Sequence, residues 1–135
     1  MIFVDTGYFI ARADPNDSLH DRSMRWDVEI SDRLLVTEYV ICEVVNYFSA
    51  LSERRRGHLI VDLVRISSAY QIINAATEWF DRGLRLHRAR LDKEWSLTDC
   101  ISFEVMRAFK VTKALSHDHH FTQAGFDALL RRDPP

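Results

Sequence analysis

Met1-Ile2-Phe3-Val4-Asp5-Thr6-Gly7-Tyr8-Phe9-Ile10-Ala11 is the stretch that decides the fold. Ile2, Phe3 and Val4 are an unbroken β-prone run, which predicts a strand buried on both faces and central in a parallel sheet. The run stops at a carboxylate, followed by Thr6, Gly7 and an apolar segment of helical type. Open α/β sheets bind ligands beyond the carboxyl ends of their strands, so Asp5 stands where chemistry is done. Asp5 or Thr6 would equally serve as the cap of the next helix. The opening alone weighs the two roles evenly.

Working outward, 135 residues suit one domain spanning 1–135, and the 47% hydrophobic content supplies a core. Glu43 and Asn46 interrupt the most apolar stretch, so no membrane span is expected. No basic signal-peptide region precedes the first strand, and the expected location is cytoplasmic. Cys42 and Cys100 are the only cysteines. Each sits among apolar residues in an expected helix and reads as a small core residue in a reducing compartment. A net charge of −2 argues against coating nucleic acid by charge alone.

The rest of the chain alternates helices and short apolar strands. Asp14-Pro15-Asn16-Asp17 is a turn, and Asp17 or Ser18 caps a helix to about Ile30. Arg33–Thr37 is the second strand. A helix from Thr37 through about Arg54 places Val40, Ile41, Val44, Val45, Phe48 and Leu51 on one stripe, with Glu43 and Tyr47 at its border. Gly57 punctuates, His58–Ser67 is helical, and Tyr70–Ile73 is the third strand. Ala75 to about Leu91 is a helix whose arginines, like Arg54–Arg56, read first as a solvated face and second as an RNA-facing patch. Ser96-Leu97-Thr98-Asp99 opens a helix to about Phe109 and has the form of a capping box. Thr112–Leu115 is the fourth strand, ending in Ser116-His117-Asp118-His119-His120-Phe121. After a turn at Gly125, Phe126–Leu130 is a fifth strand.

This order, β-α-α-β-α-α-β-α-α-β-β, predicts an α/β fold with helices on both faces of a parallel sheet. Most allowed topologies bring the ends of the first and fourth strands together. Asp5 and Asp118 then meet, with Asp99 and Glu43 at the same rim. Four crowded carboxylates repel and raise one another's pKa, and a divalent cation removes the conflict. Hard oxygen donors suit Mg²⁺ or Mn²⁺, which can bind a phosphate oxygen and generate a nucleophile.

Val4-Asp5-Thr6-Gly7, Glu43 in its amphipathic helix, Ser96-Leu97-Thr98-Asp99 and Ala114–Phe121 together resemble the PIN-domain family, and in particular its VapC-type toxins of toxin–antitoxin pairs. The resemblance implies a three-layer α/β/α sandwich with a central parallel five-stranded sheet. It implies a Mg²⁺- or Mn²⁺-dependent endoribonuclease with Asp5, Glu43, Asp99 and Asp118 as its acidic set. Thr6 and Ser116 match supporting hydroxyl positions. The implied partners are RNA, a cognate antitoxin and a second copy of the chain. Many relatives carry another acid where this chain has His120; imidazole favours softer ions than Mg²⁺, so His120 stays outside the expected ligand set.

The competing readings are weaker. Zinc held by His117, His119, His120 and a cysteine lacks the usual Cys and His spacings. A Cys100–His117 nucleophile pair conflicts with burial of the thiol, and the Gly-x-Ser-x-Gly elbow and phosphate-cradling glycine loops are absent. The alternative of a different class is a non-catalytic PIN-like module that binds RNA or protein.

Overall fold

The computed structural model describes residues 1–135. β1 (Ile2–Val4) is fully buried, as its apolar run requires, and pairs in parallel with β2 (Leu34–Thr37) and β4 (Lys113–Leu115). β3 (Tyr70–Ile73) and β5 (Asp127–Ala128) extend the two edges, giving the all-parallel order β3-β2-β1-β4-β5. The registers Phe3↔Ala114 and Val4↔Leu115 bring the C-terminal ends of β1 and β4 side by side. The bond from Asp5 N–H to Leu115 O (3.2 Å) carries that pairing one residue further, to the carboxylate.

Seven helices cover the sheet. α1 (Thr6–Ala13), α2 (His20–Glu29), α3 (Glu38–Tyr47) and α4 (Arg54–Ile66) pack among themselves. α5 (Thr77–Ala89), α6 (Leu97–Ala108) and α7 (His119–Gln123) form the second layer. Right-handed crossovers explain the division: connections running outward from β1 to β3 lie on one face, and those running back to β5 lie on the other. Phe3, Phe103 and Phe121 pack the second layer onto the sheet; the last two meet edge to face at 5.0 Å between ring centres.

Several local expectations are corrected. The helix expected through Arg54 ends at Tyr47, and Leu51 is 94% exposed. The apolar stripe is broken by a turn over Ser49–Glu53, where Arg54 Nη1 donates to Ser49 O at 2.8 Å. Gly57 does not punctuate; it is buried inside α4, where an added Cβ would lie 3.4 Å from Phe48 Cβ and 3.5 Å from the Val45 backbone. Cys42 is exposed, because two residues of helix turn it about 200° from Val40, which faces the core. The expected fifth strand shortens to Asp127–Ala128 and runs on as a 3-10 turn, Leu129–Arg131. Neither Ser18 nor Asp17 caps α2: Leu19 holds that position, and the Asp17 carboxylate takes the Leu19 N–H instead. α7 was not expected at all, since its five residues bury only Phe121 and carry no helical periodicity. No helix is long and apolar enough to cross a membrane.

A candidate acidic metal centre

Three of the four sequence-selected acids are placed by helix starts. Asp5 is the N-cap of α1 and accepts from Thr6 N–H at 2.9 Å. Asp99 completes a capping box with Ser96, accepting from Ser96 N–H at 3.1 Å while its own N–H donates to Ser96 Oγ. Asp118 caps α7, accepting from His120 N–H at 2.9 Å. Capping and site-building therefore coincide. Each cap uses one face of a carboxylate and fixes where the other oxygen points. Glu43 comes from the middle of α3 and is held by Thr6, whose hydroxyl donates to Glu43 Oε1 at 2.6 Å.

The supporting hydroxyls knit these groups together. Ser116 Oγ donates to Asp5 Oδ2 at 2.8 Å and accepts from Asp118 N–H at 3.1 Å. Thr6 thus joins the Asp5 segment to Glu43, and Ser116 joins it to Asp118. All four acids line one cleft of about 400 Å³, with Thr6, Gly7, Glu94, Ser96, His117 and His120 and no hydrophobic side chain. Ser116 is fully buried beneath it.

Charge is concentrated there. Burial, the largest influence, pushes the Asp5 carboxyl up to about 7. The bonds from Ser116 and the Thr6 amide lower it, and the negative charges of Asp99 and Glu43 raise it again. A carboxyl unwilling to ionise beside other carboxylates is what a divalent cation stabilises, and the donors are hard oxygens. Asp5, Glu43, Asp99 and Asp118 could hold Mg²⁺ or Mn²⁺ on those grounds.

His120, which sequence reasoning set aside, is also here. Its Nδ1 lies 3.1 Å from Asp99 Oδ2 and 3.4 Å from Asp118 Oδ1. Only the turn after β4, folded against the start of α6, shows this. Glu94 and His117 were likewise not proposed for the acidic set. The one signal available for Glu94 was its place two residues before the Ser96 cap. Neither cysteine lines the cleft, and burial pushes the Cys100 thiol up to about 11, which makes a poor nucleophile.

The family model of the PIN domain matches residues 2–127, so the chain belongs to the PIN domain family. Among characterised proteins it is similar to the 23S rRNA-specific endonuclease VapC20 of Mycobacterium tuberculosis, with 26% identity over 129 residues, 93% of this chain and 95% of that one. The crystal structure of M. tuberculosis VapC20, described as a sarcin–ricin loop cleaving toxin, matches with a TM-score of 0.85 at 21% identity, covering 93% and 96% of the two chains. FitAcB from Neisseria gonorrhoeae matches with a TM-score of 0.69 at 14% identity, over 95% and 96%. Both structures share the fold.

Proposed function

We propose that this PIN domain protein is an endoribonuclease that hydrolyses RNA phosphodiester bonds with Mg²⁺ or Mn²⁺, acting as the toxin of a toxin–antitoxin pair. The carrying observation is the single cleft in which Asp5, Glu43, Asp99 and Asp118 meet, with Asp5 pushed to about 7. Similarity to VapC20 along nearly its whole length supports the reaction class.

The ion, when bound, supplies charge neutralisation for carboxylates and phosphate and lowers the pKa of the attacking water. The chain's own groups do the positioning. Ser116 and the Thr6 amide hold both oxygens of Asp5, and Ser96 orients Asp99. Thr6 fixes Glu43 through Oε1, leaving Oε2 to accept the proton of the attacking water. With no basic side chain among the lining residues beyond the histidines, an anionic backbone would be repelled from this cleft unless a cation were present.

The chain as a whole, residues 1–135, is read as one PIN domain acting inside the cell. A larger apolar groove of about 690 Å³ between α1, α2 and α4, lined by Phe9, Ile30, Leu59, Ile60 and Leu63 among others, suits an amphipathic antitoxin helix. Exposed Tyr47, Leu51 and Ile66 favour a homodimer, which sedimentation at micromolar concentration tests; a monomer alone would remove that part.

The decisive assay incubates purified protein with total cellular RNA, with ribosomal RNA as a separate substrate, in Mg²⁺, Mn²⁺ or chelator. Discrete cleavage that needs the metal and disappears in Asp5→Asn and Asp99→Asn is expected. No cleavage by wild type, together with unchanged RNA or partner binding by both variants, would replace this reading with a non-catalytic binding module.

A further inference from the structure

The turn after β4 carries a cluster of which the four-carboxylate account uses only Asp118. Asp118, His119 and His120 each offer one ligand atom, and these atoms lie within 4.8 Å of one another. Asp118 Oδ1 is 3.5 Å from His119 Nδ1 and 3.4 Å from His120 Nδ1. Those separations are long for hydrogen bonds, which centre near 2.9–3.0 Å for nitrogen and oxygen. They match the roughly 3.3–3.4 Å edge between donors of a tetrahedral site whose bonds are about 2.0–2.1 Å. The imidazoles stand tilted, with ring centres 4.5 Å apart.

The two histidines differ in freedom. His120 is mostly buried, and its Nδ1 also lies 3.1 Å from Asp99 Oδ2; that bond sets the ring and is made by an Nδ1 proton that must leave before the nitrogen can ligate. His119 is 63% exposed and has only Asp118 near its ring nitrogen. A nitrogen and a carboxylate oxygen held by the fold, with a solvent-exposed second nitrogen, form a three-ligand set open to a water or phosphate oxygen. Two imidazoles and one carboxylate suit zinc-like ions far better than Mg²⁺, which prefers oxygen and holds its water.

We infer that Asp118, His119 and His120 form a nitrogen-bearing metal position beside the all-oxygen one, and that it takes a borderline transition ion of the Zn²⁺ class. The inference rests on the proposed function only in treating the neighbouring carboxylates as a separate Mg²⁺ or Mn²⁺ position, and it extends that reading. Asp118 is the shared wall. A cell's Zn²⁺ would then compete with or complement the hydrolytic ion at the same cleft.

The test titrates the ion-free protein with Co²⁺, a spectroscopic stand-in for Zn²⁺, and in parallel with Mg²⁺. Calorimetry gives the affinities, and the paramagnetically shifted imidazole N–H resonances report nitrogen ligation in wild type without any substitution. One Co²⁺ bound at least about a hundredfold more tightly than Mg²⁺, with two shifted imidazole signals, is expected from donor softness. His120→Asn and His119→Asn should each remove one signal and weaken Co²⁺ binding about tenfold or more, the size typical for disturbing a metal's ligand environment. Asp5→Asn should lose Mg²⁺ binding and keep both signals. No Co²⁺ binding, binding without imidazole signals, or equal affinity in the histidine variants would each overturn the inference. Metal-dependent RNA cleavage alongside those results leaves the nuclease reading standing; Co²⁺ held by the histidines in a protein that cleaves no RNA sinks only the nuclease reading.

Discussion

Two concavities lie on opposite terms with water. The groove between α1, α2 and α4 is the larger, about 690 Å³, and 12 of its 18 lining residues are hydrophobic. The acidic cleft is about 400 Å³ with none. The groove does contain polar groups, and its buried ones pair opposite charges: Tyr8 donates to Asp27, Arg12 donates to Tyr8, and Arg12 pairs with Asp27, though Arg12 Nε has no partner. In the cleft, negative groups face each other and one carboxyl is held up to about 7. Size locates a place to dock; unresolved charge locates a place to react.

The contrast breaks most sharply with Asp5→Asn or Asp99→Asn. Each should lower RNA cleavage by about two to three orders of magnitude, the scale for removing a preorganised electrostatic group, while far-UV circular dichroism stays unchanged. Leu63→Arg in the groove should do the reverse. Leu63 is exposed, so the fold tolerates the change and cleavage stays at the wild-type rate. Affinity for a docked partner helix should fall about tenfold to a hundredfold, as for loss of an interface anchor worth about 1.4–2.8 kcal/mol. A Leu63→Arg protein that loses cleavage would join the two regions into one.

The cleft also depends on its scaffold. Gly83 of α5 lies against α6, where an added Cβ would collide with Ile101 Cγ1 and sit 3.1 Å from the Ile101 backbone. Gly83→Ala should cost about 1–3 kcal/mol of stability by overpacking, read from urea unfolding. Because α6 carries Asp99 at its start, divalent-ion affinity should fall with it.

The smallest effect is the pH dependence of the ion-free protein. Asp5 has a folded pKa of about 7 against an ordinary value of 3.8. The folded state therefore binds the extra proton between those values, and stability declines as pH rises from about 4 through 7. The carboxyls held low by arginines, Asp92, Asp127 and Asp133, act in the opposite sense and only at more acidic pH. Thermal melting between pH 5 and 8 should thus show the ion-free protein most stable at the acid end. Asp5→Asn should flatten that slope, and added Mn²⁺ should reverse it. A slope unchanged in Asp5→Asn would place the titrating group elsewhere.

What was legible in the sequence followed from burial. β1 and β2 are continuous apolar runs because both faces are covered, and the three aspartates were visible because each ends or opens an element. The break between α3 and α4 was not legible, since Ser49–Glu53 contains neither glycine nor proline and the apolar spacing runs on through Leu51. Gly83 gave no local signal, because its reason is Ile101 on another helix. His120 was set aside on ligand softness alone. Its neighbour Asp99 lies 21 residues away in the chain, and the contact exists only once α7 folds against α6.

Crystals grown with Mn²⁺ and measured for anomalous scattering test the central claim most directly. A peak within coordinating distance of the Asp5 and Asp99 carboxylates, lost in Asp5→Asn, is the expected result. Ordered density for those side chains with no peak between them, at Mn²⁺ concentrations that support cleavage, would contradict it.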